Sequence, residues 1–205
     1  IWTMAHEISV RGNGIVEAIF GENMAPWWQK AGLTARVVTG FLSFDDIFTH
    51  QESPFNWTAE MEQLQYGDGA LSAQHGIRRS DTHAELGVHS GNYGAIQPKD
   101  MFAFCAAFFR EYPEIPISSA IVMQGGAVLS ISAKVGEFDI LNSGDIHSSY
   151  LSFTNSYNGR IKAQASKSHI RHVCMNTTQA GISSADMNLV YKHTKNVRER
   201  MSADS

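Results

Sequence analysis

From Tyr150 to Ser166 polar and apolar residues alternate one for one on both sides of Tyr157-Asn158-Gly159. Leu151 and Phe153 alternate with Tyr150, Ser152 and Thr154, and then Ile161, Ala163 and Ala165 alternate with Arg160, Lys162, Gln164 and Ser166. Period-two alternation broken by Asn-Gly predicts a β-hairpin, because both central positions of a type I′ turn need positive φ and these two residues accept it best. The register turns Leu151, Phe153, Ile161, Ala163 and Ala165 inward and Arg160, Lys162 and Gln164 outward. The polar face runs on into Lys167, His169, Arg171 and His172, so the hairpin is a basic one.

Elsewhere the period changes. After Gln97-Pro98-Lys99-Asp100, Met101, Phe102, Phe104, Cys105, Phe108 and Phe109 recur at three- and four-residue spacing up to Tyr112. That spacing predicts a helix with proline in its first turn and an aromatic core stripe, ended by Pro113 and Pro116. Ser119–Met123 and Ala127–Val135 flank Gln124-Gly125-Gly126 as a second hairpin, and Phe138–Leu141 precedes a turn at Asn142-Ser143-Gly144-Asp145. Upstream, a strand is expected at Ala35–Val38 and a short helix at Ser43–His50, with Ser43 as cap and Asp45-Asp46 at its positive end. Trp27 and Trp28 read as packing anchors. Glu60–Arg79, polar and interrupted by Gly67-Asp68-Gly69 and Gly76, reads as a loop with Arg78-Arg79 solvated. Thr82–Val88 and Ala95-Ile96 read as short strands, Val173–Gly181 as a helix, and a final helix starts near Asp186. The last helix would carry Leu189 and Val190 on one side and Lys192, His193, Lys195, Arg198 and Arg200 on the other. This is an α+β pattern, an antiparallel sheet with its helices on one face. A single domain over 1–205 is expected, with an irregular segment 1–60, a core 82–181 and a basic helix 186–205.

Charge sharpens this picture. The net charge of −4 divides into −9 over residues 1–150 and +5 over 151–205, where eight Lys and Arg meet three Asp and Glu. Such segregation fits a surface facing a polyanion, or a head-to-tail oligomer in which acidic and basic faces meet. With 43% hydrophobic and 18% charged residues the composition is ordinary for a globular chain. No run of about 18 apolar residues is present, and the order of a signal peptide is missing ahead of Met4-Ala5-His6-Glu7-Ile8, which reads as a natural start. A cytoplasmic protein is expected. Cys105 and Cys174 lie in apolar runs and read as reduced, buried thiols.

Chemistry is sparse. G-x-G-x-x-G, G-x-x-x-x-G-K-[ST] and H-E-x-x-H do not occur. His169-x-x-His172-x-Cys174 is the best metal pattern, but on a strand residue 169 would face away from 172 and 174. Asp139 and Asp145 flank a turn, where aspartate is favoured for its backbone hydrogen bonds. No metal site, catalytic group or cofactor is assigned.

Three motifs carry a resemblance: Tyr150-Leu151-Ser152-Phe153-Thr154-Asn155-Ser156-Tyr157-Asn158-Gly159, then Ile170-Arg171-His172-Val173-Cys174-Met175-Asn176-Thr177, then Tyr191-Lys192-His193-Thr194-Lys195-Asn196-Val197-Arg198-Glu199-Arg200. With Tyr93-Gly94-Ala95-Ile96-Gln97 and Pro26-Trp27 upstream, they resemble a family carried by phages, plasmids and prophages and known as domain of unknown function 932. Tyr157-Asn158 replaces that family's usual His-Asp. The resemblance implies a mobile-element setting in a bacterial or phage-infected cytoplasm. The order of strands, helix, antiparallel meander and helix is also similar to the core of the single-strand annealing proteins of the RecT and Redβ group.

The reading that joins these strands is a non-enzymatic protein that binds single-stranded nucleic acid, DNA sooner than RNA, and mediates annealing or recombination as a homo-oligomer. Arg160, Lys162, Lys167, Arg171, Lys192, Lys195 and Arg198 would neutralise phosphates, and Tyr150 or Tyr157 would stack on bases. The alternatives are a metal-dependent nuclease or nucleotide-processing enzyme using His147, His169, His172 or His193, and a phage assembly or host-defence-antagonist module that binds another protein.

Overall fold

The computed structural model describes residues 7–21, 26–39, 42–43, 47–48, 53–139 and 144–203. Two sheets organise them. The main sheet has seven strands, ordered β10-β9-β8-β7-β6-β1-β2: β1 (Ile15–Gly21), β2 (Thr34–Val38), β6 (Ile117–Met123), β7 (Val128–Asp139), β8 (Ile146–Ser156), β9 (Ala163–Ser168) and β10 (Met187–Tyr191). The small sheet is the meander β3 (Ala59–Gln65), β4 (Leu71–Arg79) and β5 (Glu85–Ser90). Every pairing is antiparallel except β1 with β2. A parallel pair needs a crossover of about a dozen residues, and here residues 22–33 make it, with the described 3-10 turn Trp27–Ala31 inside.

Strand parity divides the core in two. On one face Ile19, Ala120, Val122, Leu129, Ile131, Leu151, Phe153, Ala163 and Ala165 meet the helix α1 (Pro98–Glu111), the short helix α3 (Val197–Ala203) and the inner side of the small sheet. On the other, Val16, Ala18, Phe20, Ile121, Met123 and Val128 meet Trp28, Val173 and Met175, where α2 (Met175–Ser183) begins. The Trp28 indole N–H donates to the Val173 carbonyl at 2.9 Å, tying the crossover to that segment. The fold is therefore sheet-rich α+β, but α1 and α3 lie on one face and α2 on the other. The reason is that β6 to β9 are buried on both faces, so each face needs a cover.

The hairpin β8/β9 forms with the expected faces, Leu151, Phe153, Ala163 and Ala165 buried, Ile161 and Gln164 half-buried and Arg160 and Lys162 exposed. It does not form through the expected two-residue turn: β8 ends at Ser156, β9 starts at Ala163, and of Asn158-Gly159 only Gly159 has positive φ. The β6/β7 hairpin also forms around Gln124-Gly125-Gly126, all three at positive φ. Gly126 is required there, because a Cβ would stand 2.6 Å from Arg79 Cδ. Helix α1 buries Met101 and Cys105 and packs Phe108 and Phe109 against the core, while Tyr112 is 45% exposed; the side chains of Phe102 and Phe104 lie outside the described set. Most of Ser43–His50 also lies outside the described residues; Ile47-Phe48 is helical. Trp28 is buried as an anchor, but Trp27 is 50% exposed. Both cysteines are free and buried, and Asp139 accepts from the Gly144 N–H across its turn. Among the described residues no helix is long and apolar enough to cross a membrane.

Four further expectations fail. Glu60–Arg79 is the hairpin β3/β4 and no loop. Ala95-Ile96 is not a strand. Residues 187–191 are the edge strand β10, paired with β9, so the final helix shrinks to α3. Arg79 is 1% exposed and holds Glu17 through both terminal nitrogens at 2.7 and 2.9 Å and Asp81 at 2.7 and 2.9 Å, with its guanidinium over Trp57. Burial alone would lower the Arg79 pKa, but the two carboxylates raise it. The pair pins the small sheet to β1, and removing one partner of such a buried pair costs about 3–5 kcal/mol. Only Arg78 is at the surface, bridging Glu60 and Glu62.

Candidate nucleic-acid interface

The register of β9 with β10 decides which cations meet. Tyr191 stands opposite Ala163 as the terminal pair of the two strands, and Lys192 and Lys162 are the residues that flank it where the strands end. Both are exposed, Arg160 is exposed in the preceding turn, and the exposed Lys195 follows three residues after Lys192. Two distant segments thus deliver four cations to one end of the main sheet.

Lys167 and Arg171 lie at the opposite end of β9. Lys167 is five residues from Lys162, on the order of 17 Å along a strand, and shares the face of Ala163 and Ala165. Arg171 and Tyr150 are half-buried. Burial lowers the Arg171 pKa, and the nearby Tyr150 partly offsets this. Arg198 belongs to α3, but its side chain lies outside the described set. The cations therefore form two groups instead of one continuous face.

Tyr157 leaves the set of stacking rings. It continues the parity of Leu151, Phe153 and Asn155, so its ring enters the core, fully buried, 5.8 Å from Trp57, with its hydroxyl donating to the Ile96 carbonyl at 2.6 Å. The hydroxyl face expected at the surface is also buried. Ser152, Thr154 and Ser166 lie under the segment that leads into α2, and His172 sits on them with Nδ1 2.8 Å from Ser130 Oγ and 3.4 Å from Thr154 Oγ1. Burial holds the His172 pKa down at about 4. Cys174 serves as the N-cap of α2, its N–H donating to Thr177 Oγ1 at 3.0 Å. His169 points elsewhere, toward Ser149 and Asp186. Residues 169, 172 and 174 do not converge.

Beside the four-cation end stands a ring cluster that spacing along the chain does not reveal. His89, Tyr93 and His193 stack in sequence, with centroids 3.9 and 5.0 Å apart and planes within 16°. Each ring is fixed by the end of β8: His89 Nε2 pairs with the Tyr157 carbonyl at 2.6 Å, the Tyr93 hydroxyl donates to the Ser156 carbonyl at 3.0 Å, and His193 Nε2 pairs with Asn155 Oδ1 at 2.7 Å. Burial, and then the charge of His89, hold the His193 pKa down at about 4. His193 is a neutral ring at pH 7. Gly94 lets the Tyr93 and Thr194 backbones bridge, since a Cβ there would stand 2.2 Å from the Thr194 carbonyl oxygen. All three rings are half-buried.

The family described as Domain of unknown function (DUF932) matches residues 85–204. The chain belongs to it. No curated relative and no solved structure matches the chain. The DUF932 region runs from β5 through α3, so it holds the ring cluster and every cation of the candidate interface. Its motifs serve two places in the fold: Tyr93-Gly94, Asn155-Ser156 and His193-Thr194 build the ring cluster on one face, and His172 to Thr177 close the other. The signal for the cluster was present in those motifs, but only the fold shows that they touch.

Proposed function

We propose that this protein binds single-stranded nucleic acid at the end of the main sheet where Arg160, Lys162, Lys192 and Lys195 meet, and that it serves annealing or recombination on a phage or mobile element as a homo-oligomer in a host cytoplasm. The observation that carries this reading is that Lys162 and Lys192 flank the terminal Ala163–Tyr191 pair of β9 and β10, from segments with no local reason to meet, beside the stacked rings His89, Tyr93 and His193. Exposed cations track a phosphate backbone, and flat rings offer a sequence-tolerant stacking platform worth roughly 1–3 kcal/mol per base. The resemblance of the strand and helix order to the RecT and Redβ group agrees with this.

Binding through phosphates predicts little dependence on base sequence and a log–log salt slope of about −0.7 for each single-strand phosphate neutralised. Anisotropy of a labelled oligonucleotide, titrated at several salt concentrations, measures both. Replacing Arg160 and Lys162 together by Ser should weaken binding to all sequences alike and flatten the slope by about one to two. A double variant that matches the parent protein removes this end of the sheet as the site.

A further inference from the structure

Strand β10 is one of the two edges of the main sheet, β2 being the other, and its outer side meets no described strand. Natural edges are guarded by charge, proline or a cover, yet β10 reads Met187-Asn188-Leu189-Val190-Tyr191. Met187 is 58% exposed, Leu189 42% and Val190 43%. Successive residues point to opposite faces, so both faces of this edge are open. An apolar, uncharged edge open on both faces is a template for one more strand.

The charges flanking β10 select the occupant. Asp186 and Lys192 each stand three residues from Leu189, on opposite sides. We infer that β10 pairs antiparallel with β10 of a second copy about a two-fold axis at Leu189, placing Asp186 of each copy opposite Lys192 of the other. In that register Leu189 faces Leu189, Met187 faces Tyr191 and Asn188 faces Val190. A slide by two residues keeps the faces but separates both charge pairs, and a slide by one mismatches the faces. The pairing is isologous and closes as a dimer.

The dimer also changes the cation map. Each end of the joined sheet carries Arg160, Lys162, Lys192 and Lys195 of one copy and Lys167 and Arg171 of the other. Lys162 and Lys167 of the second copy stand about three strand spacings apart, on the order of 14 Å. The two groups separated within one chain thus share one rim. This inference deepens the homo-oligomer part of the proposed function and does not depend on nucleic-acid binding.

The test is a cysteine at the axis. Opposed residues of an antiparallel pair have Cα atoms about 4.5–5.5 Å apart, within disulfide reach. Cys105 and Cys174 are buried and stay silent. The parent protein should sediment as a dimer at micromolar concentration, and Leu189→Cys should form a covalent dimer on mild oxidation while Met187→Cys does not. Asp186→Lys should weaken dimerisation about tenfold by setting like charges opposite each other twice, and adding Lys192→Asp should restore it. An oligomeric parent whose Leu189→Cys variant fails to crosslink overturns this interface and leaves self-association standing. A strictly monomeric parent overturns both.

Discussion

Away from Ile121, Met123 and Val128, which put apolar side chains on the α2 face, strands β6 to β9 carry opposite chemistry on their two faces. Toward α1 they present Ile131, Leu151, Phe153 and Ala165, and toward α2 the same strands present Ser119, Ser130, Ser132, Ser152, Thr154 and Ser166, each at most 1% exposed. The first face is buried by apolar area, at about 25 cal/mol per Å². The second is buried by closing hydrogen bonds: Ser132 meets Ser152 at 2.8 Å, Ser119 Oγ donates to the His172 carbonyl at 2.9 Å and the His172 N–H donates to Ser132 Oγ at 3.3 Å. Short side chains let the backbone around His172 lie directly on the sheet. The comparison teaches that a hydroxyl row can be interior when a covering strand of chain needs close approach as well as partners.

The largest expected effect breaks the apolar face. Phe153 is 4% exposed and packs against Phe108 and Phe109. Phe153→Ala should cost about 3–5 kcal/mol, read as a shift in the denaturant midpoint. A loss below about 1 kcal/mol would show that this face is not a packed core.

The next effect belongs to the hydroxyl face and depends on pH. His172 is fully buried, its pKa is near 4, and its Nε2 is buried without a described partner. Below about pH 6.5 the unfolded chain takes up a proton at His172 that the native chain refuses until about pH 4. Stability is therefore intact above pH 6.5 and lost as pH falls toward 4, by on the order of 3 kcal/mol from this residue. Urea unfolding of the parent and of His172→Gln between pH 7 and 4.5 isolates the contribution. Equal pH slopes for the two proteins would contradict it.

The apolar face is what the sequence makes visible. Its hairpins and α1 are signalled by period-two and three-to-four spacing, because each buries one side only through large side chains. The hydroxyl face gives no such signal, since serine and threonine look the same in a core as in water. The β3/β4 hairpin is lost for a related reason: Leu64 and Leu71 are exposed, and only the end near Ala59, Ile77 and Arg79 reaches the core. Tyr66-Gly67-Asp68-Gly69 was the available sign, an Asp-Gly turn between two runs of strand length. Strand β10 is too short to show a period, and Val190-Tyr191 is its only β-forming pair. In the candidate site, the exposure of Arg160 and Lys162 follows from alternation alone. The burial of Tyr157 follows from it too, once β8 is carried one residue past Ser156 to the Ala127 carbonyl, which accepts the Tyr157 N–H.

The smallest of these effects sharpens the comparison by exchanging the chemistry of neighbours. Ser132 and Ala133 are adjacent on β7, point to opposite faces and are both fully buried. Ser132→Ala removes the partner of Ser152 Oγ and the acceptor of the His172 N–H. Each group left unpaired in the interior costs about 1–3 kcal/mol. Ala133→Ser places a hydroxyl among Leu151 and the apolar cluster around it, and a buried hydroxyl without a partner costs about the same. If burial by hydrogen bonding and burial by apolar area are distinct solutions on the two faces, both variants lose stability in chemical denaturation although they are the same exchange in opposite directions. A Ser132→Ala variant as stable as the parent would mean that the hydroxyl row is only tolerated under α2. The close approach of the His172 segment would then rest on the small size of these side chains alone.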